Sequence, residues 1–128
     1  MKTIRIYCKK CHLNLTDNLV EVDEKNIREE DNVEAINKNS FSVTTANGRK
    51  QLIVALDGYY LINHPDQNRF HGCCGSSGSD GLNKLCANGH EVATEVSDCW
   101  LPHYIEFDLD KVIVKEIISD YNYKIIKL

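Results

Sequence analysis

Cys8 and Cys11 stand three positions apart in CKKC, directly after the alternating run TIRIY. That spacing lets a tight turn present two thiolates to one tetrahedral ion, with backbone N–H groups pointing at the sulfurs. A CxxC pair also serves redox exchange, but that chemistry favours a first Cys at a helix N-terminus, where the dipole lowers its pKa. Here the surroundings read as strand and turn. The pair therefore points to metal, and thiolate-rich donors point to Zn2+.

A zinc site needs two further ligands, and they must come from far along the chain. Residues 71–90, HGCCGSSGSDGLNKLCANGH, hold three of the six cysteines, two of the five histidines and five of the seven glycines. Cys86 ends a short apolar segment before a glycine turn, as in a second knuckle. The partner of a regular CxxC knuckle would fall at Gly89, which has no donor atom, and His90 follows it. Adjacent cysteines point in different directions, so only one of Cys73 and Cys74 is expected on one ion. The expected set is Cys8, Cys11, Cys73 and Cys86, with Cys74 or His90 as alternatives for the fourth place. Gly72, Gly75, Gly78 and Gly81 allow positive φ and close approach of backbone, so this loop can fold back over a small metal knot.

Two other arrangements bear on an alternative class, a thiol- or zinc-dependent enzyme. Cys73 and Cys74 form an exposed redox pair in one version. In the other, Cys99 and His103 of DCWLPH join His71 or His90 in an open catalytic zinc site. Such a site needs a water and a nearby carboxylate, for which Asp98 and Glu91 are at hand. The plainer expectation places Cys99 and Trp100 in the core at a strand end, because free Cys is among the most buried residue types. His103 then hydrogen-bonds at a turn after Pro102. His64, before a proline, reads as a surface residue, and His12 as a neighbour that orients the knuckle or faces solvent. The acidic runs EVDE and REED read as solvated.

The elements that must hold these groups are mostly strands. TIRIYC, HEVATEV, HYIEFDL and KVIVKEII alternate with period two. LTDNLVEVDEKN supplies a further short strand. FSVTT and RKQLIVAL flank Asn47-Gly48, a strong two-residue hairpin signal. GYYLIN is another apolar run, ended by a turn at His64-Pro65, and DYNYKIIKL is a strand or a frayed tail. Between residues 26 and 39, a short amphipathic helix through Ile27, Val33 and Ile36 competes with a solvated loop. The expected fold is mainly β, with α+β as the variant: an antiparallel sheet in which a zinc knuckle ties early and late segments, residues 1–128 forming one zinc-stabilised domain.

Composition narrows the function. At 128 residues, with 42% hydrophobic and 27% charged residues, the chain has the make-up of a soluble globular domain with one core. No stretch has the apolar length of a membrane span. The start has four basic residues in its first ten and no continuous apolar run, unlike a secretory signal. A cytoplasmic location with reduced thiols is expected, which again favours metal over a disulfide framework. Net charge is −4, and residues 65–128 carry ten acidic against six basic residues. A nucleic-acid-binding module needs the opposite balance, because phosphate contacts dominate affinity. A basic protein partner, steered by charge, suits this chain better.

An early CKKC, a central run of strands and a later LCANGH resemble the zinc-ribbon and β-tent families, in which one zinc ties the two ends of a sheet. The stretch GCCGSSGSDGLNKLCANGHEVATEVSDCWLPH is similar to a segment of small uncharacterised bacterial proteins with a Gly-Cys-Cys-Gly, a cysteine knuckle and an Asp-Cys. That resemblance implies no activity. LCAN, with Cys86 and Asn88, resembles the nucleophile segment of methionine sulfoxide reductase B. The tryptophan-bearing substrate motif of that family has no counterpart here, and Cys86 as nucleophile would be lost as a zinc ligand. Together these features imply a zinc-binding protein-interaction module, of immunity or regulatory type, more than an enzyme.

Overall fold

A computed structural model describes residues 1–57 and 59–128; Gly58, which opens the GYYLIN run, lies outside the described residues. The described residues form ten strands in chain order: β1 (Thr3–Cys8), β2 (Leu19–Glu21), β3 (Ser40–Ala46), β4 (Arg49–Val54), β5 (Ile62–Asn63), β6 (Lys84–Leu85), β7 (Glu91–Val96), β8 (Tyr104–Phe107), β9 (Val112–Ser119) and β10 (Asn122–Ile126). They form one sheet in the order β10-β9-β1-β2-β3-β4-β8-β7-β6-β5. Among these strands only β2 and β3 pair in parallel, and an isolated parallel bridge joins Glu34 to His103.

The period-two pattern of β1 decides where its thiol goes. Ile4, Ile6 and Cys8 point to the buried face, while Arg5 and Tyr7 point away. Cys8 is thus carried into the core by the same alternation that buries the two isoleucines. β9 pairs along β1 from Ile4↔Glu116 to Cys8↔Val112, and its Val112 and Val114 cover the same face. β3 and β4 close through Asn47 and Gly48, both with positive φ (52° and 74°), the requirement of a type I′ hairpin turn. The central strands contribute Phe41, Leu52, Val54, Val92, Ile105 and Phe107 to the core, which also contains Cys8 and Cys86.

DYNYKIIKL forms edge strand β10, paired with β9. GYYLIN supplies only the two-residue β5. The helix through Ile27, Val33 and Ile36 is not formed, and the loop is. A 3-10 turn at Glu24–Asn26 leads into it, capped by Asp23, which accepts from the Lys25 N–H. Ile36 and Ala35 are buried but Val33 is exposed, so the segment has one inward corner and no helical stripe. Arg28 holds that corner, donating through Nε to the Glu34 carbonyl and through Nη2 to Asn37. Among the described residues no helix is long and apolar enough to cross a membrane.

Candidate metal centre

Strands β1 and β6 lie six places apart in the sheet order, yet Cys11 Sγ and Cys86 Sγ are 3.7 Å apart. The sheet curls until the turn after β1 meets the turn after β6. Each turn is built by its own backbone. In the first, the Cys8 N–H donates to the Leu13 carbonyl, the His12 N–H returns to the Cys8 carbonyl, and His12 takes a φ of 64°. In the second, the Gly89 N–H donates to the Cys86 carbonyl and the Cys86 N–H to the His90 carbonyl. Gly89 turns the chain with a φ of 87°. That turn swings the His90 ring back over Cys86.

Four ligand atoms result. His90 Nδ1 lies 3.3 Å from Cys86 Sγ and 3.6 Å from Cys8 Sγ, and all four donors of Cys8, Cys11, Cys86 and His90 lie within 4.8 Å of one another. This set can hold a metal ion. Cys8 and Cys86 are buried, whereas Cys11 and His90 are half-buried and form the outer side. Burial raises the Cys8 thiol pKa, against which the N–H groups of Cys11 and Lys10 act. Cys11 is lowered to about 6, chiefly by the Leu13 N–H; desolvation opposes this, and Asn88 and His90 add to it. The turn thus favours the thiolate form at the outer sulfur, which is the form that binds metal.

The expected ligand Cys73 lies elsewhere. It forms a second sulfur group with Cys74 and Cys99, whose three donors are also within 4.8 Å of one another. Cys74 is disulfide-bonded to Cys99, so two of the six cysteines are not thiols. The glycine-rich loop therefore folds onto the end of β7 and not over the metal centre. Its contacts explain why. Cys73 N–H and Cys74 N–H donate to the two carboxylate oxygens of Asp98, and Ser97 N–H and Asp98 N–H donate to the Ser76 carbonyl.

The open site expected from Cys99 and His103 is not assembled. The Cys99 sulfur is taken by Cys74, and His103 Nε2 lies 3.1 Å from the Asp98 carbonyl. His71 faces Asp80, its Nδ1 3.4 Å from Oδ1. The two carboxylates considered as bases are engaged as well, Asp98 by the loop and Glu91 by Arg69 and His64. His64 is more enclosed than its turn position suggests, since its Nδ1 also accepts from the Asp66 N–H. Trp100 is exposed, contrary to its expected place in the core.

One residue that spacing did not single out organises the region. Asn83 is fully buried. Its Nδ2 donates to the Arg69 carbonyl and to Ser76 Oγ, and its Oδ1 accepts from the Glu95 N–H. It joins the glycine loop to β7 just before Cys86. An Asn between Leu and Lys in GLNKLC carries no signal of this in the sequence.

No known protein family, curated protein sequence or solved structure matches the chain.

Proposed function

We propose that the chain is a β-domain held by one structural zinc ion on Cys8, Cys11, Cys86 and His90, and that it works by binding another protein. The donor spacing carries this reading. A tetrahedral zinc with bonds of about 2.3 Å to sulfur and about 2.0 Å to nitrogen sets sulfur–sulfur edges of about 3.8 Å and sulfur–nitrogen edges of about 3.5 Å. The observed 3.7 Å between Cys11 and Cys86, with 3.6 and 3.3 Å from His90 Nδ1 to Cys8 and Cys86, lies close to that cage. Three sulfurs and one imidazole are a zinc donor set, and four protein ligands leave no open position, the mark of a structural site. Two knuckles tying distant strands of one sheet also support kinship with zinc-ribbon and β-tent architectures. The acidic excess of residues 65–128 favours a basic protein partner.

Native mass spectrometry with thiol counting tests the metal. The expected result is one zinc per chain, with Cys8, Cys11 and Cys86 alkylated only after chelation. A metal-free protein, or a metal with one of these cysteines reacting fast, overturns the structural reading. For the partner, capture of a basic protein that is released at high salt supports the proposal, and salt-insensitive capture overturns its electrostatic basis.

A further inference from the structure

The second sulfur group is built more carefully than a simple cross-link requires. Gly72 and Gly75 flank the vicinal cysteines. A Cβ at Gly72 would lie 1.8 Å from the Gly75 carbonyl oxygen and 3.0 Å from Asp98 Oδ2, and one at Gly75 would lie 2.5 Å from the Ser97 carbonyl oxygen. Only glycine lets the loop sit this close to Ser97 and Asp98. The buried Asp98 carboxylate then holds the N–H groups of both cysteines, at 3.3 and 3.2 Å. Ser76 is tied to Ser97 and to Asn83. The backbone of Cys73 and Cys74 is thus held against Asp98 by hydrogen bonds in addition to the Cys74–Cys99 bond. Cys73 and Cys74 are exposed, and Cys73 is a free thiol beside a disulfide.

We propose that Cys73, Cys74 and Cys99 form a thiol–disulfide exchange site for low-molecular-weight thiols and disulfides of the glutathione class, with Cys73 as the first nucleophile. Starting from three thiols, the Cys73 thiolate attacks one sulfur of an external disulfide. A mixed disulfide forms on Cys73, and the other external sulfur leaves as a thiolate. The Cys99 thiolate then attacks Cys73 Sγ and releases the second external thiolate, leaving Cys73–Cys99. Finally the Cys74 thiolate attacks Cys99 Sγ, and the electron pair returns to Cys73. The external disulfide is reduced to two thiols, which take up the two protons lost by Cys74 and Cys99. The protein gains one disulfide, and Cys73 is regenerated. Reduction runs the same steps backwards. The exchange passes through Cys99 because adjacent Cα atoms are only about 3.8 Å apart across a trans peptide. That is shorter than the roughly 4.4–6.8 Å that disulfides span. The Cys74–Cys99 pair, with Cα atoms 5.6 Å apart, lies within that range.

The test uses the full-length, metal-loaded protein in buffers of glutathione and glutathione disulfide without denaturant. Acid quenching, alkylation and peptide mass spectrometry follow each cysteine. The expected result is reversible opening and closing of the disulfide with metal content unchanged. Cys99→Ser is expected to trap glutathione on Cys73, and Cys74→Ser to yield a Cys73–Cys99 bond. Cys73→Ser, at an exposed position, is expected to reclose at least roughly tenfold more slowly. The sole tryptophan, Trp100, adjoins Cys99 and gives a fluorescence reading of the same change. A disulfide that opens only in denaturant, or a Cys73→Ser protein that recloses at the wild-type rate, overturns the proposal. Should Cys99→Ser fail to fold, the Cys73→Ser rate and the Cys74→Ser mapping decide it.

Discussion

His90 and Cys73 are the two side chains whose roles are easiest to exchange on paper and most clearly separated in space. His90→Ala removes a donor that faces two sulfurs. Zinc affinity is expected to fall by more than about 100-fold, beyond what loss of a merely orienting neighbour causes. Cys73→Ser leaves it unchanged. Competition with a chromophoric chelator measures both. Asn83→Ala strands buried donors and acceptors on Ser76, Arg69 and Glu95, at about 1–3 kcal/mol for each group left without a partner. A loss of roughly 3 kcal/mol in urea unfolding is expected. Tyr59 has its pKa raised to about 12 from an ordinary 10, chiefly by burial. The unfolded chain releases that proton first, so this contribution is intact below pH 10 and is lost as pH rises toward 12. Urea midpoints should fall across that interval, and by less in Tyr59→Phe.

Turns and loops, more than strands, carry the special backbone of this protein. Gly89 turns at a φ of 87° with open space around its missing Cβ, so Gly89→Ala meets only backbone strain, about 1–2 kcal/mol. Gly72→Ala meets the Gly75 carbonyl oxygen and must displace the loop. Faster hydrogen exchange at the N–H groups of Cys73 and Cys74 is expected in that variant, with metal binding retained. The disulfide adds a constraint across a separation of 25 residues. By loop-closure entropy, Cys74→Ser/Cys99→Ser is expected to lower stability by about 3 kcal/mol, read as a shift of the denaturation midpoint.

In the proposed zinc-bound form, a curled sheet whose two knuckles meet across six strand positions would have much of its closure resting on one ion. Structural zinc contributes roughly 10–16 kcal/mol of apparent binding free energy in small domains, against total stabilities of about 5–15 kcal/mol. Chelation is therefore expected to unfold the chain or lower its melting temperature sharply, as followed by calorimetry and near-ultraviolet circular dichroism. An unchanged melting temperature in a strong chelator would show that the core from Phe41 to Phe107 closes the sheet alone.

Local rules sufficed for much of this fold. Alternation in TIRIYC and KVIVKEII specifies strands and buried faces, and Asn47-Gly48 specifies its hairpin, because both depend on neighbours two to four residues away. The spacing of CKKC and the position of Cys86 likewise mark three thiols that the structure brings together. The fourth donor, the Cys74–Cys99 pair and the hub at Asn83 were decided only in three dimensions. Each depends on how far the sheet curls and on where the glycine loop settles. A loop of glycines and serines has no periodicity to announce its docking site. Its partners at Ser97 and Asp98 lie more than twenty residues away, and only the folded sheet brings them within hydrogen-bonding distance.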